Sequence, residues 1–363
     1  MKRPALAAAL LEHRLNVLLV AAPVSWVLDV VAPGSPWIFL TAAVALVPLA
    51  GLIGLGTEQL AERAGPVWGG FLNATFGNAA ELIIAIVALH DGHVELVQAS
   101  ITGSILGNLL LVLGLSFFVG GLKRKSQTFN RTAAGNTTVM LFLAVVALVM
   151  PAVYDLALYG SLSPRPPAID RLSLSSSVVL IIAYAGSLVY AFTAQRDLFR
   201  QAERKSHDGA TLTTSAAMGI LAVGTILTAI QSEVLVGSLQ PALSRFGFTE
   251  LFVGVIVIAV VGNAAEHYSA VTAAYRNEMT LAVEIAIGSS AQIALLVAPV
   301  IVLYSHLVAR PMSLLFNGLE IAAIGLSVFA TALVAADGES NWVEGLQLLS
   351  VYLILALAFY FVP

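Results

Sequence analysis

Apolar residues run through the chain in stretches of about twenty, the length a helix needs to cross a bilayer, with short polar connections between them. Eleven such stretches predict eleven transmembrane helices: 15–32, 36–56, 66–90, 94–121, 136–154, 174–195, 212–238, 250–274, 280–304, 311–335 and 342–363. Turn and charge signals mark the connections: Pro33-Gly34-Ser35-Pro36, Lys123-Arg124-Lys125, Pro164-Arg165-Pro166-Pro167, and Arg196 to Gly209. None is long enough to fold as a soluble domain. Basic residues are shared unevenly. With the N-terminus inside, Lys2, Arg3, Arg14, Arg63, Lys123, Arg124, Lys125, Arg131, Arg196, Arg200, Arg204, Lys205 and Arg276 lie inside, and Arg165, Arg171, Arg245 and Arg310 lie outside. Thirteen against four predicts an N-inside, C-outside chain.

Composition agrees with the pattern. Of 363 residues, 59% are hydrophobic and 10% charged, and the mean hydropathy is +0.92. A typical soluble protein has roughly 25% charged residues. This excludes a soluble enzyme, a DNA-binding module, a disordered scaffold and a disulfide-rich secreted domain. The net charge of −4 is too small to imply a polyanionic partner, so no nucleic acid is expected. The chain has no cysteine, so thiolate metal sites and disulfides are absent. The fold class is all-α integral membrane, multi-pass. Short loops place it in a bacterial inner membrane, with an organellar membrane as the alternative. Homo-oligomerisation is left open.

The chain repeats itself. Gly77-Asn78-Ala79-Ala80-Glu81 recurs letter for letter as Gly262-Asn263-Ala264-Ala265-Glu266, an offset of 185 residues. The same offset carries Gly103-Ser104 onto Gly288-Ser289 without a gap. Upstream, Thr57-Glu58 resembles Ser232-Glu233, though ten inserted residues separate that echo from the second core motif. The copies fall in the third and eighth spans, which run in opposite directions. The chain therefore divides into an extra N-terminal helix (1–35) and two inverted five-helix repeats, 36–200 and 201–363. Inverted repeats characterise secondary transporters, whose substrate site lies near the midplane.

An acidic side chain at the centre of a span costs about 2.5–3.5 kcal/mol, so it is functional by default. Glu81 and Glu266 both sit mid-span. Asn78 precedes Glu81 by three residues, and Asn263 precedes Glu266 by three, so each pair is expected to share a helix face. The glycine before each asparagine can break the helix and free carbonyls toward a cation. Ser104 and Ser289 occupy matched positions; Asn108 and Gln292 follow them by four and three residues. Two inverted helices can bring these groups to one point as an all-oxygen, doubly acidic site. Ca²⁺ takes about 6–8 oxygens and fits that set; Zn²⁺ or Cu²⁺ would favour imidazole or thiolate. Empty of cation, two carboxylates in a low-dielectric site favour protonation. Cation and protons then compete for Glu81 and Glu266, the minimal machinery of exchange. Glu58 and Glu233, nearer the ends of their spans, are candidates for the cation's access route. His267 is expected to be structural, and His90, His93 and His207 are loop residues without metal spacing.

Two stretches carry a family resemblance: Phe76-Gly77-Asn78-Ala79-Ala80-Glu81-Leu82 followed by Gly103-Ser104-Ile105-Leu106-Gly107-Asn108-Leu109, and Gly262-Asn263-Ala264-Ala265-Glu266-His267 followed by Gly288-Ser289-Ser290-Ala291-Gln292-Ile293. They resemble the cation/proton exchanger family of the Ca²⁺:cation antiporter superfamily, over nearly the whole chain. Sister sodium/calcium exchangers typically show Ser and Pro ahead of the glutamate, where this chain has alanines. The resemblance implies that Glu81 and Glu266 are the paired acids that bind Ca²⁺ or protons, lined by Asn78, Asn263, Ser104, Ser289 and Gln292. Two departures stand out. Relatives often carry serine at Gly107. Relatives also carry an acidic segment between spans 6 and 7, where Asp197, Glu203 and Asp208 here face Arg196, Arg200, Arg204 and Lys205.

The reading is a Ca²⁺/H⁺ antiporter working by alternating access, its partners Ca²⁺, H⁺ and the bilayer. Ca²⁺ enters as substrate, and no cofactor is expected. Within the same fold the alternatives are Na⁺ for Ca²⁺, or Mn²⁺, Na⁺ or K⁺ for protons. A cation channel fits less well, since paired midplane acids suit a binding site better than a pore ring. An intramembrane enzyme is remote: no Ser/His/Asp set, HExxH or nucleotide loop is present. The bland alternatives are a structural polar network for the two glutamates and plain helix packing for the two Gly-Ser pairs.

Overall fold

The computed structural model describes residues 14–160, 167–194 and 212–362. Lys2 and Arg3, the Pro164-Arg165-Pro166 turn and the 196–209 connection lie outside the described residues, and with them several of the charges that orient the chain. Among the described residues the protein is helical, with one two-stranded antiparallel pairing, Gln127–Thr128 (β1) against Glu339–Ser340 (β2). In a bilayer only internally hydrogen-bonded backbone is tolerated, and this composition selects helices.

The helices follow the apolar stretches, except that the tenth begins at Gly318, where the Asn317 cap starts it, and not at 311, and that two further places differ. They are α1 Leu15–Val31, α2 Pro36–Phe76, α3 Ala79–His90, α4 Val94–Gly121, α5 Arg131–Tyr159, α6 Pro167–Ala194, α7 Thr214–Gly237, α8 Leu239–Phe246, α9 Glu250–Gly262, α10 Ala264–Tyr275, α11 Met279–Leu307, α12 Gly318–Val334 and α13 Trp342–Tyr360. Among the described residues seven helices are long and apolar enough to cross a membrane. The α8–α9 pair, bent by 108°, makes an eighth if taken as one span, and α1, α3 and α12 are shorter apolar helices. The third and eighth expected spans are therefore not single helices; each is broken at its asparagine. The other difference is the end of the second span, expected near residue 56. α2 continues through Glu58, Gln59, Glu62 and Arg63, all good helix formers, and turns only at Gly65, whose φ of 80° suits glycine.

Capping residues set many helix starts. Ser35, Asn130, Thr213 and Thr249 each accept a backbone N–H from the first turn of α2, α5, α7 and α9. Asn317 and Asn341 open α12 and α13 with capping boxes closed by Glu320 and Glu344.

The described residues of 1–87 and 183–246 form one compact unit, and those of 88–182 and 247–363 form another. In the first, α7 lies along α2, and α1 packs on α2. Gly224 brings α7 close to Ile53, and Gln231 donates to the Ser25 hydroxyl of α1 at 2.8 Å. Arg63 binds the Thr214 hydroxyl at 2.9 Å and the Leu212 carbonyl, fastening the end of α2 to the start of α7. In the second unit α9 packs on the first half of α4 and α13 on its second half, while α5 contacts α11 and α12. His93, expected to be a bare loop residue, pairs with Glu250 at 3.0 Å and links the starts of α4 and α9. His90 closes α3 beside the Tyr304 ring. His207 lies outside the described residues.

Candidate functional site

Both copies of the repeated motif adopt the same local form. The helix stops before the asparagine and restarts at the first alanine, so Asn78 and Asn263 sit in breaks. Each asparagine main-chain carbonyl accepts the first i→i−4 bond of the new helix: Leu82 N–H to Asn78 at 3.1 Å, and His267 N–H to Asn263 at 3.0 Å. Asparagine and glutamate thus do not share a helix face as expected. The asparagine lies ahead of the helix, and Glu81 or Glu266 lies in its first turn. That turn carries the positive end of the helix dipole, which favours a carboxylate.

In the second unit the break makes Asn263 a hub. Its side-chain NH₂ donates to the Ser104 hydroxyl and to the Ala259 carbonyl, both at 2.9 Å. Its Oδ1 accepts from the Asn108 amide at 3.2 Å. Ser104 and Asn108 lie four residues apart on α4, so one helix face meets the break. Ser289 of α11 hydrogen-bonds the Glu266 carboxyl. All five polar side chains are largely buried. Among the described residues, Glu266 Oε2 and Asn108 Oδ1 are buried acceptors that receive no hydrogen bond. Buried acceptors without donors are costly, and a cation or a proton relieves them.

The structure therefore brings Ser104, Asn108 and Asn263 into direct contact, and Ser289 onto Glu266. Gln292 lies one turn beyond Ser289, at the point where α11 widens into a π-helical turn over Ile293–Val297. α4 widens in the same way over Gly107–Val112, just after Ser104. Such turns recur at functional sites, and the amino-acid pattern does not announce them. Asn78, fully buried, and Glu81 lie in the first unit, held by their own copy of the break. Glu58 and Glu233 are exposed on α2 and α7 of that unit. The hydroxyl residues before them, Thr57 and Ser232, are buried and bond back to the Ile53 and Thr228 carbonyls at 2.8 and 2.7 Å. The weaker sequence echo is thus a matched local structure.

His267 turns its buried Nε2, which has no hydrogen-bond partner among the described residues, toward Gly107 of α4. A Cβ at Gly107 would lie 4.0 Å from that nitrogen, with nothing nearer. Gly107→Ser should therefore fold, bond His267 and gain about 1 kcal/mol. A raised melting temperature in detergent checks this; a lowered one shows that the α4–α10 contact has no room for the hydroxyl.

Comparison with known proteins follows the geometry. The family model for sodium/calcium exchanger proteins matches residues 34–193 and 216–361. The Ca²⁺/H⁺ antiporter of Synechocystis sp. is 41% identical over 363 aligned positions, covering 96% of this chain and 97% of that protein. The Ca²⁺/H⁺ antiporter ChaA of Bacillus subtilis is 41% identical over 96% of this chain and 99% of its own length. The solved structure of native YfkE superposes with a TM-score of 0.83 at 39% identity, over 96% of this chain and all of that one. The chain is a multi-pass membrane protein and belongs to the sodium/calcium exchanger protein family.

Proposed function

We propose that this protein exchanges Ca²⁺ for H⁺, with Glu266 and its repeat-mate Glu81 as the acids that bind either ion. The observation that carries the reading is the pair of buried acceptors without donors, Glu266 Oε2 and Asn108 Oδ1. Asn108 Oδ1 lies beside Ser104 and Asn263, and the Glu266 carboxyl beside Ser289; we assign both groups to one cation. Hard cations bind such oxygens, and Ca²⁺ accepts many of them in irregular geometry. The carboxylate that ligates Ca²⁺ is also the group that takes a proton, so one ion displaces the other. The full-length relatives named Ca²⁺/H⁺ antiporters support the same ion pair. In the second unit Gln292 is the further proposed ligand; in the first unit Asn78 is proposed to serve Glu81, with Glu58 and Glu233 as candidates for the approach. With the N-terminus inside a bacterial cytoplasmic membrane, an inward proton gradient drives Ca²⁺ out.

The test is Ca²⁺ uptake into proteoliposomes under an imposed pH gradient. Uptake should need the gradient, saturate with Ca²⁺ and collapse with a protonophore. Lowering the pH on the Ca²⁺-loading side should raise the KM for Ca²⁺, because protons occupy the same oxygens. Uptake driven only by a Na⁺ gradient would replace H⁺ with Na⁺ as the counter-ion. Flux without any counter-ion would indicate a channel.

A further inference from the structure

The helix that carries Ser104 and Asn108 is gripped on its other side, and the grip centres on an acid that the exchange chemistry does not use. Glu320, in the first turn of α12, is 3% exposed. Its Oε2 accepts the Asn317 backbone N–H at 3.0 Å and closes the capping box. Its Oε1 accepts the hydroxyl of Thr102, fully buried on α4, at 3.0 Å. A capping box does not require burial: Glu344 closes the matching box of α13 while only half-buried. Taking a carboxylate out of water is costly, and here the cost is offset by a bond to a different helix.

Gln98 reinforces the grip. It precedes Thr102 by four residues and so shares its face of α4. Its side-chain NH₂ donates to the Ser313 and Leu315 carbonyls at 2.9 and 3.1 Å. The Leu314 N–H in turn donates to the Ser173 hydroxyl of α6 at 3.0 Å. Ser104 lies two residues past Thr102, roughly 200° around the helix. The face held by Glu320 and Gln98 is thus opposite the face that meets Asn263. The second repeat has no such device: the 185-residue offset carries Gln98 and Thr102 onto Val283 and Ile287, both buried and apolar. The grip joins α4 of the first repeat to α12 of the second and has no counterpart at the matching positions of α11, so it is not a packing element duplicated with the repeat.

We propose that Glu320 is a positioning residue for cation binding: through Thr102 it fixes the rotation of α4 that aims Ser104 and Asn108 at Asn263. This rests on the proposed exchange activity for its transport readout and on geometry alone for its structural one. Thr102→Val keeps the shape and leaves the capping box intact. In proteoliposomes it should raise the KM for Ca²⁺ about tenfold with Vmax within about twofold, a split that a loss of folded protein would not produce. Glu320→Leu, which removes the acceptor of the Thr102 hydroxyl, should raise KM at least as much, and adding Thr102→Val to it should raise KM no further. A wild-type KM in Thr102→Val, or KM effects that multiply in the double variant, would overturn the proposal. Hydrogen–deuterium exchange supplies a readout that needs no ion. Amides 103–108 should exchange at least threefold faster in Thr102→Val, and unchanged exchange refutes the positioning role whatever ion is carried. Absence of Ca²⁺ uptake by the native chain would instead refute the proposed function and leave the exchange result to decide about Glu320.

Discussion

Glu266→Gln is expected to cut gradient-driven Ca²⁺ uptake roughly a hundredfold while leaving the protein folded. The substitution is nearly isosteric. The amide oxygen of glutamine still accepts the Ser289 hydroxyl, so the bond that orients the side chain survives. What changes is the other atom. Oε2, a buried acceptor without a donor, becomes an NH₂ that offers protons where a cation would offer charge. Removing one partner of a buried charge pair costs about 2–5 kcal/mol. At about 3 kcal/mol the uptake at low Ca²⁺ falls roughly a hundredfold. Stability moves the other way. An ionised carboxylate with an unsatisfied buried oxygen is destabilising, so the glutamine variant should melt no lower than the native protein. Ser289→Ala, which removes one hydrogen bond to a charged group, should cost about 1.5–3 kcal/mol of Ca²⁺ binding and leave measurable transport. Glu81→Gln should match Glu266→Gln, since its helix begins in the same way one residue past its own break. The comparison is made with purified, reconstituted protein at matched amounts. More than a tenth of native uptake in Glu266→Gln would remove that carboxylate from the transport step.

Much of this arrangement is legible in the amino-acid order, and what is not has physical reasons. The apolar stretches locate the helices because a bilayer rewards nothing else. The duplicated motif locates both glutamates because an acid within a span must be justified. The breaks are harder to foresee. The glycine before each asparagine marks a possible break, but Ala79, Ala80 and Glu81 are strong helix formers, as are their counterparts, so local propensity alone does not decide it. The break at Asn263 is settled by bonds to Ser104 and Asn108, about 155 residues away in sequence. Polar residues from Glu58 to Arg63 read as a connection, yet they continue α2, because helix propensity and the tie from Arg63 to Thr214 outweigh their polarity. The partnership of Glu320 with Thr102 spans 218 residues and leaves no local trace. The Asn317–Glu320 capping box lies inside the expected 311–335 span, and that the second oxygen of Glu320 reaches α4 is a matter of tertiary packing.

The two Gly-Ser pairs are equivalent in the repeat, and substituting their glycines should separate them. Gly103 of α4 meets α9 backbone to backbone. A Cβ there would come to 2.0 Å from the Val255 carbonyl oxygen and 2.5 Å from its Cα. The contact is reciprocal: a Cβ on Gly254 would lie 2.4 Å from the Ala99 Cβ and 2.8 Å from the Leu96 carbonyl. Ala99 and Gly103, four apart, form the small-residue face that close helix approach in membranes requires. Backbone cannot rotate aside as a side chain can, so Gly103→Ala must push α4 and α9 apart. Overpacking costs about 1–3 kcal/mol in forgiving cores, and this contact belongs at the upper end or above it. The displacement falls on Ser104, the next residue, and on Asn263, which follows the end of α9. Gly103→Ala should therefore lower the melting temperature clearly and cut Ca²⁺ uptake more than tenfold. Among the described residues Gly288 has nothing within 4 Å of where its Cβ would stand. There alanine replaces a flexible residue inside a helix, worth up to about 1 kcal/mol in the favourable direction, so Gly288→Ala should melt at or above the native temperature. Melting curves of the two variants, taken in one detergent with Ca²⁺ held constant, decide between two origins for the motif. Unequal curves mean that Gly103 is kept for the α4–α9 contact and that its twin is free of that duty. Equal destabilisation would mean that both glycines serve one role inherited with the repeat, and that the open space at Gly288 closes during the transport cycle.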